Sequence, residues 1–590
     1  CIKTAETKEV KKTPQPEKKI KTNKKPVIET FTKDIKTEPE KIASKNGKYL
    51  KKDYKSIDDL DDKTRQELLA NDEFFKTVNS KPLDTQQKIA CVLDSKNVQI
   101  IAGAGTGKTF TLIAKIKYLI AKKHVRPEDI LCLSFSNTSV RDLKGKLPEN
   151  VEVRTFHSLG RSVIKQHHKV SVIENNEILA IINDYLANAS NDTLKDILEF
   201  CDSYFLNIES YIIRRNDRKE LLDELKEAFT KVAFKPLLAD FINLFKGNNF
   251  TKNHFSYFRN SNDDKDHDIF LKIAEDFYSY YQEYLDMHQQ IDFNDMINES
   301  SKLIKKYGLK KHYRYILVDE YQDTTYTNYN LIKSLQDKTG AHLTVVGDDW
   351  QSIYGFRGTN IEFFSHFEEY FENPQRIFIE KTYRNPQELI DIAGSFIMKN
   401  PKQIRKSLKS PKNLKKPVKI IYPQKNPIEK REMIYNLIKD LSEKSEDVLI
   451  LGRTNNNINQ FIKHRNLVKK GNLKKDKFLR ILDKTDKSMN NVYYRTLHSS
   501  KGLEADNVVI INMVDDYLGF PSKLKTHSVL NYVNTRNYDY KYSEERRLFY
   551  VGLTRSKNNV YLISDKNNPS EFIEELIDDS LENLEIIEYN

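Results

Sequence analysis

A chain of 590 residues with 38% hydrophobic content is long enough for several domains with real cores, and no apolar run approaches the ~20 residues of a membrane helix, so no bilayer span is expected. Lys plus Arg (97) exceed Asp plus Glu (85) by 12, yet residues 1–50 alone hold 14 Lys against 7 acids, which leaves only about +5 for the rest. Four scattered cysteines (Cys1, Cys91, Cys132, Cys201) without a C-x-x-C pair suggest neither a zinc site nor a disulfide framework, and fit a reducing, cytoplasmic compartment. The start at Cys1 rather than Met reads as a fragment or a processed form.

Residues 1–56 are rich in Lys, Thr, Glu and Pro without apolar periodicity, the composition of a mobile arm that attracts polyanions. From residue 57 the pattern turns globular. Val98, Ile100 and Ile101 read as a buried strand, and Ile113, Ile116 and Ile120 give the next segment an apolar face at helical spacing. Short β-rich runs at 130–133, 315–318, 343–346, 448–451, 508–511 and 560–563 alternate with amphipathic stretches, which predicts parallel sheets flanked by helices. Between 159 and 265 no such run occurs, and 178–182 and 221–225 look helical, so this region reads as a helical insertion into the first α/β unit.

Between the first strand and its helix lie Ala102, Gly103, Ala104, Gly105, Thr106, Gly107, Lys108 and Thr109, a phosphate-binding loop. Its backbone N–H groups and the positive helix end cradle phosphate oxygens; Lys108 would neutralise the β/γ-phosphates of ATP and Thr109 would hold Mg²⁺. Ala102 stands where the strict G-x-x-x-x-G-K-T pattern has glycine. The run 315–318 ends in Asp319 and Glu320, at the strand end where α/β sheets bind ligands. Asp319 would bind Mg²⁺, and Glu320 would orient and deprotonate the attacking water.

The segment GDDWQSIYGFRG (347–358) resembles motif III of superfamily 1 helicases, and the other motifs appear in that family's order. LDTQQKIA (83–90) resembles the Q-motif, SFSN (134–137) motif Ia, TFHS (155–158) motif Ib, IDFNDMI (291–297) the stretch before motif II, and VDEYQD (318–323) motif II. KTYRN (381–385), TLHSSKGLE (496–504) and EERRLFYVGLTRS (544–556) resemble motifs IV, V and VI. Within the superfamily the chain resembles the UvrD/Rep-like 3′-to-5′ branch, and in it the bacterial DNA helicase IV group, through the Trp of GDDWQSIY, the EFFKTVNSKPLDTQQ run and a short interval between motifs IV and V.

The resemblance implies an α/β fold of two RecA-like P-loop motor domains with parallel sheets. It divides the chain into a tail (1–56), domain 1A (57–158 and 266–372) around a helical 1B insertion (159–265), and domain 2A (373–590). Only about 110 residues separate Arg384 from Thr496, so a 2B domain is expected to be absent or vestigial. It further implies that Gln87 reads the adenine edge, Tyr383 stacks on the base and Gln351 senses the γ-phosphate. Arg384 and Arg555 act as arginine fingers, Glu504 contacts the ribose and γ-phosphate, and Gly502 permits close backbone approach. On the strand track, Phe135, Tyr354, Phe356 and His498 match positions that stack on bases, while Asn137, His157 and Arg357 match polar backbone contacts. The implied protein is a monomeric ATP- and Mg²⁺-dependent 3′-to-5′ DNA helicase that translocates on single-stranded DNA and unwinds 3′-tailed duplex in repair, recombination or replication, with other replication and repair proteins as partners. The alternative is an ATP-driven single-strand translocase that displaces bound proteins or remodels RNA polymerase without much unwinding.

Overall fold

The computed structural model describes residues 41, 51–174, 177–205, 217–261, 263–424, 426–444, 446–457, 467–470, 479–483, 491–524, 526–534 and 540–589. The Lys-rich tail read over 1–56 lies mostly outside them.

The strands in chain order are β1 (Lys52–Tyr54), β2 (Asn97–Ala102), β3 (Ile130–Ser134), β4 (Glu152–Thr155), β5 (Ser171–Val172), β6 (Gln290–Ile291), β7 (Tyr315–Val318), β8 (His342–Gly347), β9 (Gln375–Ile379), β10 (Val418–Tyr422), β11 (Val448–Gly452), β12 (Leu467–Lys470), β13 (Leu479–Asp483), β14 (Val492–Thr496), β15 (Asn507–Met513), β16 (Val560–Ser564) and β17 (Leu584–Glu588). Two large sheets result. The first has seven parallel strands in the order β1-β9-β2-β8-β7-β3-β4. The second has eight in the order β12-β13-β14-β11-β15-β16-β10-β17, parallel except for the pairings that β13 makes with β12 and β14. β2, β3, β7 and β11 are buried along their whole length, as expected where helices cover both faces of a parallel sheet. The stretch between motifs IV and V builds β10, the helix Pro427–Glu443, β11 and the β12–β13 hairpin, all parts of the second sheet's lobe. Among the described residues no helix is long and apolar enough to cross a membrane.

Three sequence boundaries shift. Lys52–Tyr54, read as part of the mobile arm, is an edge strand on β9 with Tyr54 buried. The second domain does not begin at 373, because β9 lies inside the first sheet between β1 and β2 (Ile100↔Ile377) and the chain crosses over only after Ile379. The helical insertion does not end at 265. Ile269, Phe270, Ile273, Ala274, Phe277, Tyr281 and Leu285 repeat at helical spacing along Lys265–Met287 and pack into one core that runs from Ile173 to Leu285.

Two contacts fix that insertion. At its root, the buried Lys246 Nζ lies 2.5 Å from both Asp292 Oδ2 and Asp295 Oδ2. At its far side a turn of the second lobe, Ser528–Tyr532, docks onto it: Val529, Leu530 and Val533 enter the insertion's core, and Asn248 Nδ2 donates to the Val533 carbonyl at 2.7 Å.

Candidate nucleotide site and interlobe cleft

β2 delivers the loop to the mouth of the cleft. Ala102 closes the strand with its methyl group in the lobe's core, so no glycine is needed there. Gly105 (φ 71) and Gly107 (φ 82) adopt left-handed backbone, and Gly107 caps the helix Lys108–Lys123, whose first N–H groups have no intrahelical partner and open onto the loop. Space also demands glycine: a Cβ on Gly105 would lie 2.6 Å from Thr382 Oγ1 and 2.7 Å from Arg384 Cβ, and one on Gly103 2.5 Å from Leu408 Cδ2. Thr106 is buried, and Ala104, Trp350 and Ile353 pack into the second lobe's core, so the two lobes are closed on each other.

Thr109 Oγ1 donates to Asp319 Oδ2 at 2.9 Å. Burial, then Glu320, pushes the Asp319 carboxyl up to about 7. Burial also acts against the charge on Glu320, but Lys108 and Lys501 outweigh it and hold this carboxyl below its ordinary value. A hydroxyl and a carboxylate side by side form an oxygen donor set of the kind Mg²⁺ prefers, and two buried acids leave negative charge for a cation to offset, so these residues fit the ion. Glu320 sits at φ 53, an unusual conformation for a non-glycine residue, and accepts from Gln322 Nε2 at 2.6 Å. Gln322 Oε1 accepts from the Asp348 N–H at 2.9 Å, which joins motif II to motif III.

The second lobe contributes both arginines. Arg555 is buried; it donates to the carbonyls of Val551 (2.9 Å) and Leu503 (3.2 Å), and its Nη2 reaches Gln351 Oε1 at 3.3 Å. Burial, then Arg384, pushes Arg555 down to about 9, which leaves it charged at neutral pH. Arg384 Nε donates to Glu504 Oε2 at 2.9 Å and Nη1 to the Thr554 carbonyl at 3.3 Å. Gly502 has φ 81 and open space around it. Tyr383 is 44% exposed beside the loop, with its N–H on the Gly105 carbonyl (3.1 Å), its hydroxyl on Asp84 Oδ2 (3.0 Å) and Lys381 Nζ over its ring at 5.3 Å. Gln87 lies against the loop. Its Oε1 accepts from the Asp84 N–H (3.1 Å) and its Nε2 donates to the Thr106 carbonyl (3.0 Å), so in this state the amide braces the loop.

Of the seven residues expected on the strand track, four converge. Phe356, 45% exposed, meets His498 edge-on with centroids 5.4 Å apart and Tyr354 at 6.2 Å; Arg357 lies 5.4 Å from each ring centroid of Tyr354 and Phe356. Tyr354 also donates to the His498 carbonyl at 3.2 Å, so the cluster spans both lobes. Burial, then Arg453 and Arg357, pushes His498 down to about 4, and it is neutral at pH 7. The other three line the ends of β3 and β4. Phe135 packs on Phe156 (4.9 Å), Asn137 is exposed at the start of a helix capped by Ser136, and His157 lies edge-on to Phe293 (4.8 Å).

Lys501 and Lys406 escaped the sequence reading. Lys501, inside the motif V stretch, reaches across the cleft to Asp323 Oδ2 (2.6 Å) and the Gln351 carbonyl (2.8 Å) and lies 5.2 Å from the Tyr354 ring centroid. Lys406 sits between Asp348 and Asp349. The K-G pair at 501–502 was a usable signal for the first; the second has none in the local sequence.

Residues 83–372 match the family described as UvrD/REP helicase N-terminal domain, and residues 463–567 the UvrD-like helicase C-terminal domain. Among curated proteins the chain is similar to DNA helicase IV of Escherichia coli strain K12, 25% identical over 522 residues (85% of this chain, 71% of that protein). It is similar to a probable DNA helicase of Mycoplasma pneumoniae, 25% identical over 501 residues (82% and 83%), and to the ATP-dependent DNA helicase PcrA of Staphylococcus aureus, 27% identical over 394 residues (63% and 48%).

Proposed function

The chain belongs to the UvrD/Rep family of ATP-dependent DNA helicases, and from that premise we propose that it is a 3′-to-5′ motor that tracks along single-stranded DNA and unwinds 3′-tailed duplex. It acts as a cytoplasmic monomer in repair, recombination or replication. One observation carries the reading: Arg555 of the second lobe touches Gln351 of the first at 3.3 Å, beside the loop lysine and the motif II acids.

In this reading the loop amides and Lys108 hold the β- and γ-phosphates, and Thr109 with Asp319 holds Mg²⁺. Bound there, the ion neutralises phosphate charge and templates the oxygens around it. Glu320 takes the proton of the attacking water, with Gln322 fixing its carboxylate. Gln351, Arg384 and Arg555 would gather around the γ-phosphate from both lobes, so an intact phosphate adds to the contacts that hold the cleft closed. Lys501 carries the change to the strand side, since it links the acid Asp323 to the ring of Tyr354, and Tyr354 touches Phe356 and His498. Opening and closing then alternate which lobe grips the bases.

The test is ATP hydrolysis with single-stranded DNA, duplex DNA or RNA, followed by strand separation on 3′-tailed and 5′-tailed duplexes. Stimulation by single strands and unwinding of the 3′-tailed substrate alone are expected. Turnover indifferent to DNA would refute the motor; unwinding from a 5′ tail would refute the polarity. Displacement of a bound protein without strand separation would favour the translocase reading.

A further inference from the structure

Lys406 is an anomaly for a lysine in a polar stretch: its side chain is completely shielded from water, as are those of its two acidic partners. It lies on the loop that follows the helix Gln387–Met398 of the second lobe and wraps back over the first. That loop is held at several points. The Ile404 N–H donates to Asp349 Oδ2 (2.8 Å), Trp350 Nε1 donates to the Ile404 carbonyl (3.0 Å), and Leu408 covers Gly103. Lys406 Nζ is thereby placed 2.5 Å from Asp348 Oδ1 and 2.6 Å from Asp349 Oδ1, over the face of Trp350 at 4.3 Å.

Asp348 is the pivot. Its Oδ2 accepts from Gln351 Nε2 at 2.5 Å, which turns the other end of that amide, Oε1, toward Arg555. The same Oδ2 lies 4.0 Å from Lys108 Nζ, at the outer limit of an ion pair. Shielded from bulk solvent, two neighbouring carboxylates attract any cation in reach, and Lys108 is the one that the triphosphate requires.

We propose that Lys406 is a positioning residue for ATP turnover: by neutralising Asp348 and Asp349 it leaves Lys108 free for the phosphates and keeps Gln351 aimed at Arg555. This rests on the ATP-site reading above. Without Lys406, Asp348 captures Lys108, and nucleotide affinity falls together with turnover. Without the Asp348 charge, the motif III carboxylate nearest to Lys108 is gone, so affinity survives and only the aim of Gln351 is lost.

The experiment compares wild type, Lys406→Met, Asp348→Asn and the double variant. It measures affinity for a fluorescent non-hydrolysable ATP analogue, ATP KM and kcat at saturating single-stranded DNA, and the thermal midpoint. Lys406→Met should weaken analogue binding and raise KM by about tenfold or more, Asp348→Asn should lower kcat with affinity within about threefold of wild type, and the double variant should bind like Asp348→Asn. Additive losses of affinity, or a folded Lys406→Met that binds the analogue as wild type does, overturn the proposal. If Lys406→Met does not fold, the double variant decides: affinity equal to Asp348→Asn supports the role and weaker affinity overturns it. A folded wild type that fails to bind the analogue refutes the ATP-site reading itself, a result distinct from the loss of Lys406's role alone.

Discussion

Arg555→Lys tests the arginine-finger reading with little damage to charge or volume. The guanidinium is fixed by three contacts within the second lobe, to the Val551 carbonyl (2.9 Å), the Leu503 carbonyl (3.2 Å) and Thr554 Oγ1 (3.1 Å), which leave Nη2 directed at Gln351 across the cleft. A lysine keeps the positive charge but has no planar fork, so it cannot hold those anchors and face the γ-phosphate together. Fingers of this kind contribute roughly 10³ to 10⁵ in kcat; retention of charge puts the expected loss near the lower end, about 10³-fold, or about 4 kcal/mol of transition-state stabilisation. The fold loses two carbonyl partners at about 1 kcal/mol each, so the thermal midpoint falls by only a few degrees. DNA-stimulated ATPase with kcat and KM resolved, beside nucleotide binding, separates the two effects. The expected pattern is a collapse of kcat with KM and affinity within about threefold. A variant with near wild-type kcat and a raised KM alone would show that Arg555 binds the ground state, and the finger reading would be wrong.

Lys108→Ala should abolish turnover while single-strand binding stays near wild type, measured by ATPase and fluorescence anisotropy; wild-type turnover would sink the phosphate-loop assignment. Phe356→Ala removes the exposed ring at the centre of the aromatic cluster and should weaken single-strand binding by about 1–3 kcal/mol, roughly 5- to 150-fold, with DNA-independent ATPase intact. Unchanged anisotropy titrations would remove Phe356 from the strand track. His527, where the second lobe meets the insertion, is pushed down to about 4 by burial and then by His267. Being depressed below its ordinary 6.5, it is neutral in the fold at pH 7, so the folded protein binds fewer protons than the unfolded chain between about pH 6.5 and 4 and stability falls as pH drops through that window. His527→Phe, which keeps ring contacts with Phe200 and Phe270, should lose less than wild type between pH 7 and pH 5, by on the order of 1 kcal/mol after allowance for partial exposure. Equal shifts of the thermal midpoint in both proteins would contradict it.

What could be read from the chain, and what could not, divides by how local the signal is. The strands 315–318 and 508–511 are unbroken apolar runs because both sheet faces are covered, and such runs announce themselves. β4, β14 and β17 carry Glu or Arg within their short spans, and two of the three residues of β1 are charged, so each resembles a loop until its neighbours are known. The misplaced domain boundary has the same origin: Ile377 pairs with Ile100 across a gap of hundreds of residues, and nothing near position 375 advertises that partner. The site divides likewise. Lys108, Thr109, Asp319 and Glu320 stand in two compact motifs because one loop and one strand end supply them. Lys406 stands in KNPKQIRKSLKS, whose density of lysines reads as a solvated face; its burial is imposed by Asp348 and Asp349, 58 and 57 residues upstream on another lobe. Gln87 shows the same dependence on the fold: the resemblance implies that it reads the adenine, and the capping box with Asp84 and the bond to Thr106 set where its amide stands beside the loop. A motif therefore indicates which side chains gather at the cleft, but the contacts that aim them come from parts of the chain brought there by the fold.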